Sequence, residues 1–106
     1  MVFAQTNDNA NAHEHLRRAL QARPDYPEAL NNLGVLYLVM QRRDEAVASF
    51  ENCIRVAPSF DQAYLNLARV YALEGSRDQA RRTLQELLKQ HPNHEQATAL
   101  LNQLEQ

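Results

Sequence analysis

The chain is poor in the residues that carry most dedicated chemistry. In 106 residues it has no tryptophan, one cysteine, one lysine, two glycines and four prolines. A single cysteine excludes an internal disulfide. Two isolated glycines exclude a glycine-rich phosphate loop. No Asn-x-Ser/Thr sequon occurs. The longest unbroken apolar run, Val35 to Met40, is far too short to span a bilayer, so membrane insertion is not expected. A secretory leader needs a basic start and an apolar run, and neither is present. Val2-Phe3-Ala4 before Gln5 is similar to the tail of a signal-peptidase site, which leaves room for a longer precursor; the cytoplasm is the default compartment. Net charge is −2 and the ten arginines are scattered, so nothing argues for nucleic acid. No Ser-His-Asp set or paired carboxylates can be argued, so the chain is not read as an enzyme and no cofactor is expected.

What the chain has is periodicity. From Pro27 to Pro58, two amphipathic segments of about a dozen residues flank the polar break Gln41-Arg42-Arg43-Asp44, the pattern of an antiparallel helical hairpin. The spacing returns 34 residues later: Ala29 with Ala63, Asn32-Leu33 with Asn66-Leu67, Tyr37 with Tyr71, Ala46 with Ala80, Pro58 with Pro92. Stepping backwards, Ala46 falls on Ala12, Phe50 on Leu16, Ile54 on Leu20 and Pro58 on Pro24. A fixed period of this length predicts an all-α solenoid, because one hairpin cannot bury its own apolar stripe and stacked hairpins can.

These residues resemble the tetratricopeptide repeat family. Its pattern falls on Leu30, Leu33-Gly34, Tyr37, Ala46, Phe50, Cys53 and Pro58, then on Tyr64, Leu67-Ala68, Tyr71, Ala80, Leu84, Leu87 and Pro92. Cys53 and Leu87 stand where alanine is usual, and Leu84 where an aromatic is usual. The resemblance implies a right-handed superhelical solenoid of antiparallel helix hairpins. It divides the single domain into a partial repeat over 1–26, full repeats over 27–60 and 61–94, and a C-terminal capping helix over 95–106.

In chain order, Met1 to Asn11 is either the end of a first helix, with Phe3 in the place of Tyr37 and Asn7-Asp8-Asn9 in the place of the inter-helix turn, or an irregular tail. Helices are expected over Ala12–Ala22, Pro27–Met40, Asp44–Val56 with Asp44 as N-cap, Asp61–Leu73, from Ser76 or Arg77 to about Gln90, and over Glu95–Gln106. Gly75 suits a left-handed residue after the fourth of these. Gly34 or Ala68 faces Ala46 or Ala80 where backbones approach closely. Asn102 stands where Gly34 and Ala68 do, which fits a capping helix with a wetter outer face.

Three features invite a chemical reading and are better explained structurally. His13 and His15 are two apart, so they point about 200° away from each other on a helix and cannot share a metal. His91 and His94 flank a turn proline without a cysteine or carboxylate at zinc spacing and read as surface residues. Cys53 lies on the apolar face and reads as a small core residue.

The resemblance implies a groove lined by the first helix of each hairpin, holding an extended or helical peptide. Its positions here are Glu28, Asn31, Asn32, Val35, Leu38 and Val39, then Gln62, Leu65, Asn66, Arg69, Ala72 and Leu73, continued by Gln96, Thr98 and Gln103. Asn32 and Asn66 repeat in step, and their amides can both donate to and accept from a peptide backbone. Arg69 is the one cation in the row. Chaperone-tail-binding members of the family clamp two carboxylates with cations, where this chain has Glu28, Gln62 and Asn66; Asn32 alone matches a clamp position, so such tails are not expected ligands. The leading expectation is a protein–protein interaction module for a peptide or helix of a partner. The alternatives are a homo-oligomeric scaffold assembled through open repeat ends, or a regulatory segment of a larger enzyme.

Overall fold

The computed structural model describes the backbone of residues 2–106 and the side chains from Asp8 onward. The described residues form six helices and no strand: α1 (Val2–Ala22), α2 (Pro27–Val39), α3 (Arg43–Val56), α4 (Asp61–Leu73), α5 (Arg77–Gln90) and α6 (Glu95–Leu104). Each packs against the next in sequence. Helix α4 also touches both α2 and α6 across the repeats, whereas among the described residues α3 touches neither α1 nor α5. The stack therefore curves towards α2, α4 and α6, which line its concave side.

Several boundaries differ from the sequence expectation: α2 stops at Val39 and α6 at Leu104, one and two residues short. Helix α1 runs unbroken through Asn7–Asn9, where the repeat register places a turn and the other reading an irregular tail. No glycine or proline occurs between residues 2 and 22 to stop it. The side chain of Phe3 lies outside the described residues, so its equivalence to Tyr37 does not enter the fold. Helix α3 begins one residue early, with Arg42 at the N-cap; Asp44 sits in the first turn, where its charge suits the positive helix end.

The two hairpin turns are closed by the same bonds. Gly75 N–H donates to Ala72 O (3.1 Å) and Ser76 N–H to Tyr71 O (2.8 Å); one repeat earlier Gln41 N–H donates to Leu38 O (3.0 Å) and Arg42 N–H to Tyr37 O (2.8 Å). This pair of bonds needs a left-handed residue after the helix. Gly75 supplies it at φ 79°, and Gln41 does so at φ 61° despite its side chain.

The N-termini of α2, α4 and α6 are also register-equivalent, at Tyr26, Phe60 and His94. Here the surface assignment of His94 is corrected. Its side chain is only 13% exposed. The Ala97 N–H donates to His94 Nδ1 (3.2 Å), capping α6, and the Nε2–H of that tautomer donates to Asp61 Oδ2 (3.0 Å) at the start of α4. The carboxylate partner lies 33 residues away, beyond local spacing rules. His94→Ala should lower the melting temperature by several degrees, since losing a cap costs about 1 kcal/mol. His94→Asn should recover most of the loss by capping α6 itself, as read by circular dichroism melts.

Three adjoining clusters form the core. Ala46, Phe50, Leu67 and Val70 join α3 to α4. Leu30, Cys53 and Ala63 join α2, α3 and α4. Tyr64, Leu65, Ala68, Ala80, Leu84, Leu87, Ala97 and Leu104 join α4, α5 and α6. Tyr64 fixes the junction further: its hydroxyl donates to Pro58 O (2.7 Å) and accepts from Gln90 Nε2 (3.0 Å).

Candidate functional site

Cys53 and His13 are accounted for by packing, while His15 is exposed. Cys53 is fully buried and its thiol donates to Pro27 O (3.3 Å). Burial, assisted by the charge of Glu28, pushes the thiol up to about 11. Iodoacetamide at pH 8 should therefore leave native Cys53 unlabelled and modify it only under denaturing conditions, as followed by mass spectrometry. His13 and Tyr37 share a hydrogen bond at 3.3 Å with their rings edge-on, while Glu14 pairs with Arg17 (2.7 Å) and Arg18 (3.1 Å). These two guanidiniums, Arg17 foremost, hold the Glu14 carboxyl below its usual range.

The concave side is different, because its side chains are not consumed by the core. The large hydrophobic side chains exposed among the described residues are Val35 (41%), Val39 (62%) and Leu73 (67%), and all three lie on α2 and α4. Val35 and Val39 are one turn apart, and Leu73 is the register equivalent of Val39 on the neighbouring helix. Leu38 is half-buried beside them. Glu28, Asn32, Gln62, Arg69, Gln96, Thr98 and Gln103 are exposed, and Ala72 is half-buried.

Two expected groove residues are placed otherwise. Leu65 is 1% exposed and belongs to the α4–α5–α6 core, with Leu100 and Leu101 of α6 packed on that cluster. Each concave helix leans on the fifth residue of the one before it, so a residue there meets the next helix. In α2 that residue is Asn31, and the contact is polar: Asn66 Nδ2–H donates to Asn31 Oδ1 at 3.1 Å. Asn66 and Asn32 are therefore not interchangeable. Asn66 is half-buried and engaged, with Arg69 Nη1–H donating to its Oδ1 at 3.5 Å, while Asn32 is exposed.

A cleft of about 720 Å³ opens at the foot of this face, lined by Leu38, Leu73 and the turn residues Gln41, Arg42, Arg43, Asp44 and Glu45. The turn residues escaped the sequence reading, which took the first helix of each hairpin alone as the lining. Their signal was the register match of Gln41 to Gly75, which fixes the turn's shape and its position below Leu73. A smaller cavity of about 330 Å³ separates α1 from α2, among His13, Arg17, Leu20, Gln21, Leu33 and Tyr37. Among the described residues no helix is long and apolar enough to cross a membrane.

Helical hairpins repeated at 34 residues, with small residues at the crossings and a concave face left open, define an all-α helical-repeat protein. The sequence model of the tetratricopeptide repeat matches residues 3–49 and 40–104, and the chain belongs to that family. Among solved structures, MamA is similar at 27% identity and a TM-score of 0.77 over 83% of this chain. This chain spans about half the length of MamA, 52%. The second tetratricopeptide domain of human RPAP3, in complex with the HSP70 peptide SGPTIEEVD, has a TM-score of 0.82 at 20% identity, covering 98% of this chain and 87% of that one. The first such domain of Spaghetti (RPAP3), bound to the HSP90 peptide SRMEEVD, has a TM-score of 0.82 at 16% identity, with 97% and 82% covered. The RPAP3 likenesses establish the fold. No curated protein matches the chain significantly.

Proposed function

We propose that this chain is a non-enzymatic protein–protein interaction module that holds a peptide or helix of a partner against the concave face of α2, α4 and α6. The observation that carries this reading is the confinement of the large hydrophobics exposed among the described residues, Val35, Val39 and Leu73, to that one face. Burying such side chains in a partner stabilises a complex by roughly 25 cal/mol per Å² of apolar surface. Peptide capture by similarly folded domains is in keeping with this. The two-carboxylate clamp is absent, since Glu28, Gln62 and Asn66 stand at clamp positions. A terminal carboxylate pair would also meet the like charge of Glu28.

Assembly of copies through open repeat ends has less support. On the register, Thr98 and Asn102 of α6 and Glu105 at its C-cap correspond to Tyr64, Ala68 and Tyr71, and all three are exposed and polar. They offer no apolar seat for Ala12, Leu16 and Ala19 of α1 from another copy.

The test is selection of binders from a displayed random 12-residue peptide library, followed by titration calorimetry of the selected peptides. Val39→Ser/Leu73→Ser should weaken them by tenfold or more, with the melting temperature unchanged. Equal affinity for wild type and variant removes the concave face from consideration.

A further inference from the structure

The polar contacts beside the apolar patch define the chemistry of what would bind there; this rests on the peptide-binding reading above. Arginine has no hydrogen-bond acceptor. The contact of Arg69 Nη1 with Asn66 therefore requires the amide oxygen of Asn66 to face Arg69. Asn66 must then turn its NH₂ to Asn31, and Asn31 must answer with its own oxygen, as observed at 3.1 Å. The chain Arg69→Asn66→Asn31 thus has one direction. Both amide oxygens already accept a bond, while the Asn31 NH₂ and the remaining N–H groups of Arg69 stay available. Arg69 is exposed, and the ion pairs among the described residues leave it without a carboxylate. The surface is donor-rich and locally cationic, next to Val35, Val39 and Leu73.

The positions also fix a spacing. Arg69 and Leu73 are one turn apart on α4, about 6 Å along its axis. Val35 is the register equivalent of Arg69 on α2, about one helix-packing distance away, roughly 10 Å. An extended peptide advances about 3.3 Å per residue. Side chains two or three residues apart therefore match these two separations. The turn below Leu73 carries both signs, Arg42 and Arg43 against Asp44 and Glu45, and favours neither.

We propose that the concave face recognises a linear peptide segment bearing an acidic side chain two or three residues from a bulky apolar one, the carboxylate meeting Arg69 and the apolar side chain seated on Val35, Val39 and Leu73. Recognition is through an internal side chain, not a chain terminus. A charge-assisted bond of this kind contributes about tenfold to affinity.

The experiment uses the same displayed 12-residue library, selected in parallel on wild type and Arg69→Gln. Wild type should enrich Asp or Glu two or three positions from Leu, Ile, Phe or Met. Arg69→Gln should enrich the apolar residues without the acid. In calorimetry, replacing the acidic residue of the best wild-type peptide with its amide should cost about tenfold, Arg69→Gln the same, and the two together no more than either. Amidating the peptide C-terminus should change nothing. Several results would overturn the inference: no acidic enrichment, equal binding by Arg69→Gln, or dependence on the terminal carboxylate. Neutral apolar peptides that still need Val39 and Leu73 overturn it while leaving the interaction-module reading standing. Peptides indifferent to Val39, Leu73 and Arg69 overturn both.

Discussion

Gly34→Ala should lower the melting temperature by roughly 4–8 °C, although alanine is the better helix former. A Cβ on Gly34 would lie 2.7 Å from both Cδ1 and Cζ of Phe50 and closer still to Cε1. Phe50 is fully buried against Leu67 and Val70, so its ring has nowhere to go. Helix propensity offers at most about 1 kcal/mol in return. Overpacking costs about 1–3 kcal/mol, and it wins. Gly34→Leu and Ala80→Phe should lose more, Ala80 being fully buried at the equivalent crossing of the second hairpin. The second hairpin also supplies the rescue. There Ala68 and Leu84 occupy the places of Gly34 and Phe50, both buried. Gly34→Ala/Phe50→Leu copies that pair and should melt above Gly34→Ala alone. A double variant less stable than the sum of its single changes would contradict the packing.

Leu65→Ala is expected to cost about 3 kcal/mol and to shift the thermal midpoint by ten degrees or more. Leu73→Ala should change stability by less than about 0.5 kcal/mol. Both leucines fall in the same predicted lining row, yet one is 1% exposed and the other 67%. Urea titration of the two variants separates the roles. If Leu65→Ala kept full stability and lost only peptide affinity, Leu65 would belong to the ligand surface and the packing of α6 would be wrong.

That contrast marks how far the residues alone can be read. The hairpins and their small-residue crossings followed from spacing, because the 34-residue period and the helical period are both encoded locally; the concave face was implied by the family resemblance. Gly75 announced its left-handed turn; Gln41 adopts the same turn with no residue-type signal and is found only through its register. Leu65 was misplaced because the register assigns positions one helix at a time, while burial there depends on α6 lying over it. The same displacement sets a polar Asn31–Asn66 contact at one junction, and at the next brings Leu65 and Leu100, their register equivalents, into the same apolar cluster. His94 was misread for a related reason: Asp61 is remote in sequence and near only once α4 and α6 stand side by side. Of the expected lining, Val35, Val39, Leu73 and Arg69 are exposed as read, and what they bind is a question of chemistry rather than period.

The unequal turns have a kinetic corollary. In a linear array each hairpin is held only by its neighbours, so unravelling starts where local stability is least. Helix α4 buries six residues and ends on Gly75 in a relaxed left-handed turn; α2 buries four and ends on Gln41, strained by its side chain. Amide protons of Gln41 and Arg42 should exchange with deuterium well before those of Gly75 and Ser76. The molecule would then open from its amino-terminal end, and the half of the concave face carrying Val35 and Val39 would be the first part to breathe.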